Sequence, residues 1–344
     1  LYVHIPFCEM RCGFCNLFTT VNSSDEMVDG YLTALEMQSQ VVADTIGRAS
    51  TRSLTIGGGT PTFLSAPQLD RLFGILTAFA GEDVANVHSI IETSPKTATD
   101  DRLGVLKAHG IDRVSIGVQS FSDDELRALG RPDQAREAER ALDAIRRNGF
   151  ACLNIDLIYG ARNQTLESWA GSIERALRWQ PEEMFLYPLY IRALTGLDGR
   201  AEVEDRHRRR LYQTGRDLML QAGYEQRSMR MFLKTGPASP AGRSRVPGSA
   251  SGEAEAADHN LVGLGCGARS RTRYLHYSSE YAVGRKSVAG IIKAYCETAP
   301  AHFGQVHYGV SLDETERQHR SFVCNLLTSD GLDVPAIERQ HGPV

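Results

Sequence analysis

Leu1-Tyr2-Val3-His4-Ile5 runs through Pro6-Phe7 into Cys8-Glu9-Met10-Arg11-Cys12-Gly13-Phe14-Cys15-Asn16, and this stretch decides how the rest of the chain is read. Its first five residues have the apolar, β-rich make-up of a buried strand and stop at a proline. A C-x3-C-x2-C triple follows at once. The same order, strand and then an unusual turn, returns downstream. Residues 53–56 read as a strand that runs into Gly57-Gly58-Gly59-Thr60-Pro61, and further strands are expected at 87–92, 113–117, 153–158 and 184–187. Between them the pattern is helical, over 25–46, 66–80, 98–109, 122–129 with 133–148, and 166–179. Leu69, Leu72, Phe73 and Leu76 have the i, i+3, i+4, i+7 spacing of a buried helix face. Ser23 or Ser24, and Ser65, stand where helix caps belong.

Six strand–helix repeats imply parallel strands joined by right-handed crossovers. A closed or partly closed β/α barrel and a doubly wound open sheet both satisfy the pattern, and either puts chemistry at the C-terminal strand ends. The unusual residues fall there: the cysteine triple, the three glycines, Glu92, Gln119 and Asp156. Beyond about residue 200 the pattern changes. Residues 202–222 read as one long helix, 225–232 as a strand, 260–268 as strand and turn, and 312–327 as a helix. The segment 234–258 is dominated by Gly, Ala, Ser, Pro and Arg and has too few large apolar side chains to pack. Residues 1–200 thus read as one domain. Residues 201–344 read as a smaller α+β region, interrupted by a low-complexity insert, that covers one end or edge of the first.

Composition narrows the classes of function. With 42% hydrophobic residues, 23% charged ones and a net charge of -4 over 344 residues, the chain is neither globally disordered nor a generic nucleic-acid binder. No run approaches the roughly 18 apolar residues of a membrane span. The basic run Arg206-His207-Arg208-Arg209-Arg210 follows Glu202, Glu204 and Asp205, so it reads as a solvated helix face and not as a nucleic-acid patch. Seven cysteines, three of them packed into eight residues, do not form a disulfide framework and imply a reducing, cytoplasmic setting. The chain opens on Leu1 with no charged segment and apolar run before it, and both ends read as cut.

Three readings of Cys8, Cys12 and Cys15 are open. Three thiolates on one loop can hold three irons of a [4Fe–4S] cube and leave the fourth iron free for a ligand. A zinc site wants four ligands, usually from paired knuckles, and no second knuckle follows. Inert buried thiols are the bland alternative. The glycine run lets a ligand approach the backbone closely, whereas neither G-x-x-x-x-G-K-[ST] nor G-x-G-x-x-G is matched. Glu92, Gln119 and Asp156 on successive strand ends suit the amine and hydroxyl groups of a small polar ligand. Each taken alone reads equally well as a cap or a core hydrogen bond.

Tyr2-x-His4-Ile5-Pro6-Phe7-Cys8-x3-Cys12-x2-Cys15, Gly57-Gly58-Gly59-Thr60-Pro61 and Ser115-Ile116-Gly117-Val118-Gln119-Ser120-Phe121 are joined by three further motifs. These are Leu129-Gly130-Arg131, Asn154-x-Asp156-Leu157-Ile158-Tyr159-Gly160 and Gly263-Leu264-Gly265-Cys266-Gly267-Ala268. Together they resemble the radical S-adenosylmethionine (SAM) enzymes, in particular the branch related to the oxygen-independent coproporphyrinogen III oxidases. The resemblance covers nearly the whole chain outside the insert.

It implies a partial (β/α)6 barrel in which Cys8, Cys12 and Cys15 bind a [4Fe–4S] cluster whose open iron takes SAM. It further implies that Gly58, Gly59 and Thr60 meet the methionine part of SAM. Glu92, Gln119, Arg131 and Asp156 would hold its polar groups, and Tyr2 and Phe14 would pack beside cluster and cofactor. The implied activity is reductive cleavage of SAM and abstraction of hydrogen from a small-molecule or peptide substrate, with flavodoxin or ferredoxin as the electron donor. The branch's porphyrinogen oxidases carry a further cysteine two residues after the third; Leu17 stands there and argues against that reaction. The H-N-x-x-Y-W element of the haem-trafficking relatives is missing too, while Asn16 is compatible with methyltransferases of the branch that use two SAM molecules. The phrase from Tyr187 to Gly196 reads as a subgroup hallmark.

Overall fold

The computed structural model describes residues 1–47, 51–80, 87–131, 134–235 and 260–342. Its centre is a run of six parallel strands: β1 (Tyr2–Ile5), β4 (Ser53–Gly58), β5 (His88–Thr93), β6 (Arg113–Gln119), β7 (Cys152–Tyr159) and β8 (Glu183–Pro188). They lie side by side in chain order. Helices α1 (Asp25–Ile46), α2 (Ala66–Ala80), α3 (Asp100–Ala108), α4 (Asp123–Ala128) with α5 (Ala135–Asn148), and α6 (Leu166–Leu177) fill the five crossovers. The sheet does not close on itself, so the fold is the partial (β/α)6 barrel. On the β8 side, α7 (Asp205–Gln221) leads to β9 (Tyr224–Gln226) and β10 (Met231–Lys234), with β10 antiparallel to β8 and β9 at the edge. At the other edge β11 (Gly263–Leu264) runs parallel to β1.

Alternation along the strands separates a dry face from a wet one. Val114, Ile116 and Val118, and Leu153, Ile155 and Leu157, are buried towards the helices. The residues between them, Ser115, Gly117, Asn154 and Asp156, fall on the inner face. Register puts Glu92, Ser115, Asn154 and Glu183 in one row across β5 to β8. The expected face of α2, Leu69, Leu72, Phe73 and Leu76, is wholly buried. Ser24 and not Ser23 caps α1, accepting from the Met27 amide at 3.3 Å.

Two features depart from the sequence reading. The single strand expected over 225–232 is the β9–β10 hairpin. Ser228 Oγ accepts from the amides of Arg230 and Met231 at 3.3 and 3.2 Å and turns the chain back, a side-chain bond that competes with strand pairing. Two short strands, β2 (Phe7–Cys8) and β3 (Thr20–Val21), escape the periodicity because neither spans a full alternation. Also unread were a small antiparallel sheet of β12 (Arg269–Arg271), β13 (Leu275–Ser278) and β14 (Tyr308–Ser311), and helices α8 (Arg285–Cys296) and α10 (Val334–His341). The helix α9 (Glu314–Leu326) matches the expected one at 312–327. Most of the low-complexity insert, 236–258, lies outside the described residues. The basic run on α7 is an ordinary helix face: Arg208 pairs with Glu202 and Asp205, and His207 bonds to the Gln164 carbonyl. Among the described residues no helix is long and apolar enough to cross a membrane.

The N-terminal end of the barrel interior is shut by a charge pair. Arg113 Nε donates to Glu183 Oε2 at 2.6 Å, and both side chains are almost completely buried, at 6% and 3% exposure. Removing one partner strands a charge without water, which costs about 3–5 kcal/mol. Glu183→Leu is therefore expected to lower stability in urea titrations by about that amount, and the double variant Arg113→Met/Glu183→Leu to recover most of it. Equal stability of the single variant and wild type would show that the pair contributes nothing.

Candidate active site

The cysteine loop is tied to the first strand at both ends. Phe7 and Cys8 pair with Thr20 and Val21, so residues 9–19 arch over the C-terminal end of β1. Within the arch the Cys15 amide donates to the Cys12 carbonyl at 3.1 Å, and Gly13 is stitched to Leu129 and Leu197 by backbone bonds of 3.1 and 2.9 Å. From the C-terminal region, Tyr281 donates to the Asn16 carbonyl at 3.2 Å, and Arg11 reaches the Val283 carbonyl at 2.5 Å. His4 sits behind the loop. Its Nε2 lies 2.8 Å from the Phe18 carbonyl, which can only accept, so Nε2 carries the hydrogen and Nδ1 accepts from the Tyr2 hydroxyl at 3.0 Å. Burial pushes the His4 pKa down to about 4, which keeps this ring neutral.

Opposite the loop lies the glycine run. Gly59 donates to the Ile5 carbonyl and Thr60 to the Phe7 carbonyl, both at 2.8 Å. A Cβ on Gly59 would stand 2.6 Å from Phe7 O and 3.0 Å from Cys8 Sγ, so only glycine lets this backbone lie against the cysteine strand. Thr60 Oγ1 donates to Cys8 Sγ at 3.6 Å, while burial pushes the Cys8 thiol up to about 12. Gly58 has φ +109° and turns its amide onto Glu92 Oε2 at 3.1 Å. Gln119 is held in the left-handed region at φ +70°, where the pairing of β6 with β7 slips. Beside it the buried Arg131 donates to the Gly117 carbonyl at 2.8 Å. Asp156 accepts from Asn154 at 2.7 Å and from Ser115 at 3.4 Å.

These groups border one cavity of about 550 Å³. Cys8, Cys12, Cys15, Phe14, Gly58, Gly59, Thr60, Glu92, Gln119, Arg131 and Asp156 all line it. Tyr2 does not; it stands behind the loop on His4. Sequence reading missed Thr19, Ser115, Lys96 and Arg230, while Tyr187, Tyr190 and Arg192, which also line the cavity, lie in the 187–196 phrase it singled out as a hallmark without assigning a site role. Ser115 was within reach, since inward alternation from Gly117 points to it. Arg230 was not, because it sits in the turn of a hairpin that had been read as continuous strand.

The donor set bears on what the loop could hold. All seven cysteines are free thiols, and among the described residues no three His, Cys, Asp or Glu side chains converge on a single ion. A cube takes one thiolate per iron, so its ligands stand apart around a space. Three thiols on the rim of a cavity, with glycine backbone against one of them, fit that demand.

The first 176 residues settle the class. Residues 2–176 match the model of the radical SAM superfamily, and the chain belongs to that superfamily. The cofactors of this family are a [4Fe–4S] cluster and SAM. The chain is 32% identical over 243 residues to the heme chaperone HemW of Haemophilus influenzae, and 32% identical over 284 residues to the oxygen-independent coproporphyrinogen III oxidase of Paracoccus denitrificans. These alignments take in 69% and 79% of this chain but only 63% and 62% of those relatives. The structure of coproporphyrinogen III oxidase (HemN) from Escherichia coli superposes with a TM-score of 0.79 at 24% identity, covering 98% of this chain and 77% of that one. This likeness extends the shared fold beyond the barrel into the C-terminal region.

Two buried carboxyls without a cationic partner at hydrogen-bonding distance leave a mark on the ligand-free protein. Burial, and then the nearness of Asp156, pushes Glu92 from 4.5 up to about 7; burial likewise pushes Asp156 from 3.8 up to about 6. Both values lie above those of the unfolded chain, so the stability they contribute is full below about pH 4 and lost as pH rises through 6 to 7. Glu92→Gln, which keeps an acceptor for Gly58, is expected to flatten this loss. In urea titrations of metal-free protein it should gain up to about 3 kcal/mol over wild type at pH 8 and little at pH 4. An identical pH slope in both proteins would refute the shift.

Proposed function

We propose that this chain is a radical SAM enzyme in which Cys8, Cys12 and Cys15 hold the cluster and the polar floor holds SAM. The observation that carries the reading is that all three thiols and the strand-end groups Glu92, Gln119, Arg131 and Asp156 face one cavity. When bound, cluster and SAM supply a 5′-deoxyadenosyl radical by one-electron cleavage of the S–C5′ bond. The protein's own part is positioning and exclusion of water. Gly58, Gly59 and Thr60 line the cavity and would present backbone to the methionine part, the two glycines packing against His4, Phe7 and Cys8 where a side chain would clash. Glu92 and Asp156, carboxyls already pulled together and dried, gain by accepting from an ammonium or from ribose hydroxyls. Phe14, Leu17, Ile158 and Leu189 give the cavity apolar walls that shed water from a reactive intermediate. A low-potential donor such as flavodoxin or ferredoxin supplies the electron.

The cationic and aromatic part of the lining supports an acidic substrate with a flat face. Lys96, Arg192 and Arg230 border the cavity together with Tyr187 and Tyr190. The Arg230 guanidinium lies 5.5 Å above the Tyr187 ring, and Tyr190 stands between Arg192 and Arg208 at 5.5 and 5.6 Å. The relatives' names, heme chaperone and coproporphyrinogen III oxidase, are in keeping with this chemistry. Leu17 in place of a fourth cysteine argues that the reaction is not porphyrinogen oxidation itself. In this reading residues 1–200 hold the cofactors, and residues 201–344 brace the cysteine loop through Tyr281 and Val283 and add Arg230 to the substrate wall.

Anaerobic reconstitution with iron and sulfide, followed by SAM and dithionite, is expected to yield 5′-deoxyadenosine. An intact cluster that gives none would favour a haem carrier on the same fold. S-adenosylhomocysteine formed alongside would favour methyl transfer. Cys12→Ala is expected to lose the cluster's visible absorbance; a full cluster in that variant would remove the ligand assignment.

A further inference from the structure

Ser122-Asp123-Asp124-Glu125 has the pattern of a capping box, in which the glutamate side chain would reach back to the serine amide. The structure makes only half of that box. Ser122 Oγ accepts from the Glu125 amide at 3.5 Å, but the Ser122 amide donates to Ser120 Oγ at 3.0 Å and the Glu125 side chain turns inward. There it is 3% exposed. Its Oε2 accepts from Ser120 Oγ at 2.6 Å and from Gln164 Nε2 at 3.0 Å, and its Oε1 accepts from Ser168 Oγ at 2.5 Å. A glutamate at a helix start could stay in water at no cost. Burial removes that water, and the two hydroxyls and the amide replace it.

These donors belong to the exits of two neighbouring strands. Ser120 follows Gln119, the residue at φ +70° where β6 ends. A non-glycine residue stays in that region only where its surroundings over-determine it. Ser120 supplies the constraint: its amide donates to the Val118 carbonyl at 2.9 Å, and its hydroxyl is fixed between the Ser122 amide and Glu125. Gln164 stands at the exit of β7. Its Nε2 also donates to the Ile158 carbonyl at 3.3 Å, and its Oε1 accepts from the Gly160 amide at 2.7 Å. Ser168 lies in the first turn of α6. Beyond Glu125, the turn after α4 is closed by the Arg131 amide on the Leu126 carbonyl at 2.8 Å. Gln119, Arg131, Asp156 and Ile158 line the cavity, and Glu125 itself does not border it. Resting on the radical SAM reading given above, we infer that Glu125 is a positioning residue for SAM: it fixes the exits of β6 and β7, whose side chains form the floor, so that the cofactor meets a site already in shape.

The test compares wild type with Glu125→Leu, Glu125→Gln and Ser120→Ala, each reconstituted anaerobically and assayed for iron and sulfide per chain. Formation of 5′-deoxyadenosine with dithionite is then measured over a range of SAM concentrations. With a full cluster, Glu125→Leu is expected to raise KM for SAM about tenfold, on the scale of one lost buried hydrogen bond, and to keep most of kcat at saturation. Ser120→Ala should shift KM the same way and by less. Glu125→Gln should stay near wild type. Its amide oxygen can still accept from Ser120 and Gln164, while Ser168 can turn its hydroxyl to the Thr165 carbonyl at 3.2 Å and accept from the new amide nitrogen. A residue that only stabilises the fold would lower the urea midpoint of Glu125→Leu and leave KM where it was, and that result overturns the inference. So does a KM raised as much in Glu125→Gln as in Glu125→Leu, or a loss confined to kcat. Where Glu125→Leu fails to fold or to take up a cluster, Ser120→Ala decides: a raised KM supports the inference and an unchanged one overturns it. If wild type makes no 5′-deoxyadenosine, this inference falls together with the proposed function; an active wild type whose KM the variants share sinks this inference alone.

Discussion

The site rests on the clamp that holds the cysteine arch to the first strand. Two backbone pairings, Phe7 with Thr20 and Cys8 with Val21, set both feet of the arch, and His4 locks the returning foot through the Phe18 carbonyl. The clamp works because His4 is buried and neutral. A charged imidazole would donate from both nitrogens and could no longer accept from Tyr2. Gly59 and Thr60 seat the second strand's exit on Ile5 and Phe7, so the glycine run and the cysteines share one framework. Without that framework three flexible thiols would be no more than surface cysteines.

A parallel sheet covered by helices on one face has its other face left to fill. In a closed barrel, layers of branched side chains fill it. Here the sheet stays open, and the inner face carries Ser115, Gly117, Asp156 and Glu92 around a cavity. The interior is graded along the strand direction. At the N-terminal end Arg113 and Glu183 neutralise each other in contact. At the C-terminal end Glu92 and Asp156 are dried with no contact cation, which leaves them ready for a positively charged or hydroxyl-rich ligand. The two ends use the same residue types for opposite purposes, structural closure at one and unsatisfied binding capacity at the other.

The region after residue 200 contributes more than cover. Hairpin β9–β10 extends the sheet beyond β8 and brings Arg230 over Tyr187, while β11 extends it beyond β1. Tyr281 and Val283 reach back to the cysteine loop from the opposite edge. The cavity is thus framed from both sides of the open barrel by residues more than 200 positions from the cysteines.

Much of this was legible in the chain alone. Strand–helix alternation with unusual residues at the strand ends marked the six parallel strands and the active end, because apolar period and turn chemistry are local properties; their order was not legible there, since a barrel and a doubly wound sheet share the alternation. The spacing C-x3-C-x2-C and the run of glycines marked the loop and its neighbour for the same reason. The β9–β10 turn was not legible, since it depends on the Ser228 hydroxyl finding amides two and three residues on rather than on any pattern of apolar side chains. Nor was the seat of Tyr2 behind His4, the pairing of Arg113 with Glu183, or the inward turn of the Glu125 carboxylate. Those facts depend on which groups face one another once the chain is folded, across 70 positions for Arg113 and Glu183, and hydrogen bonding and burial are decided only there.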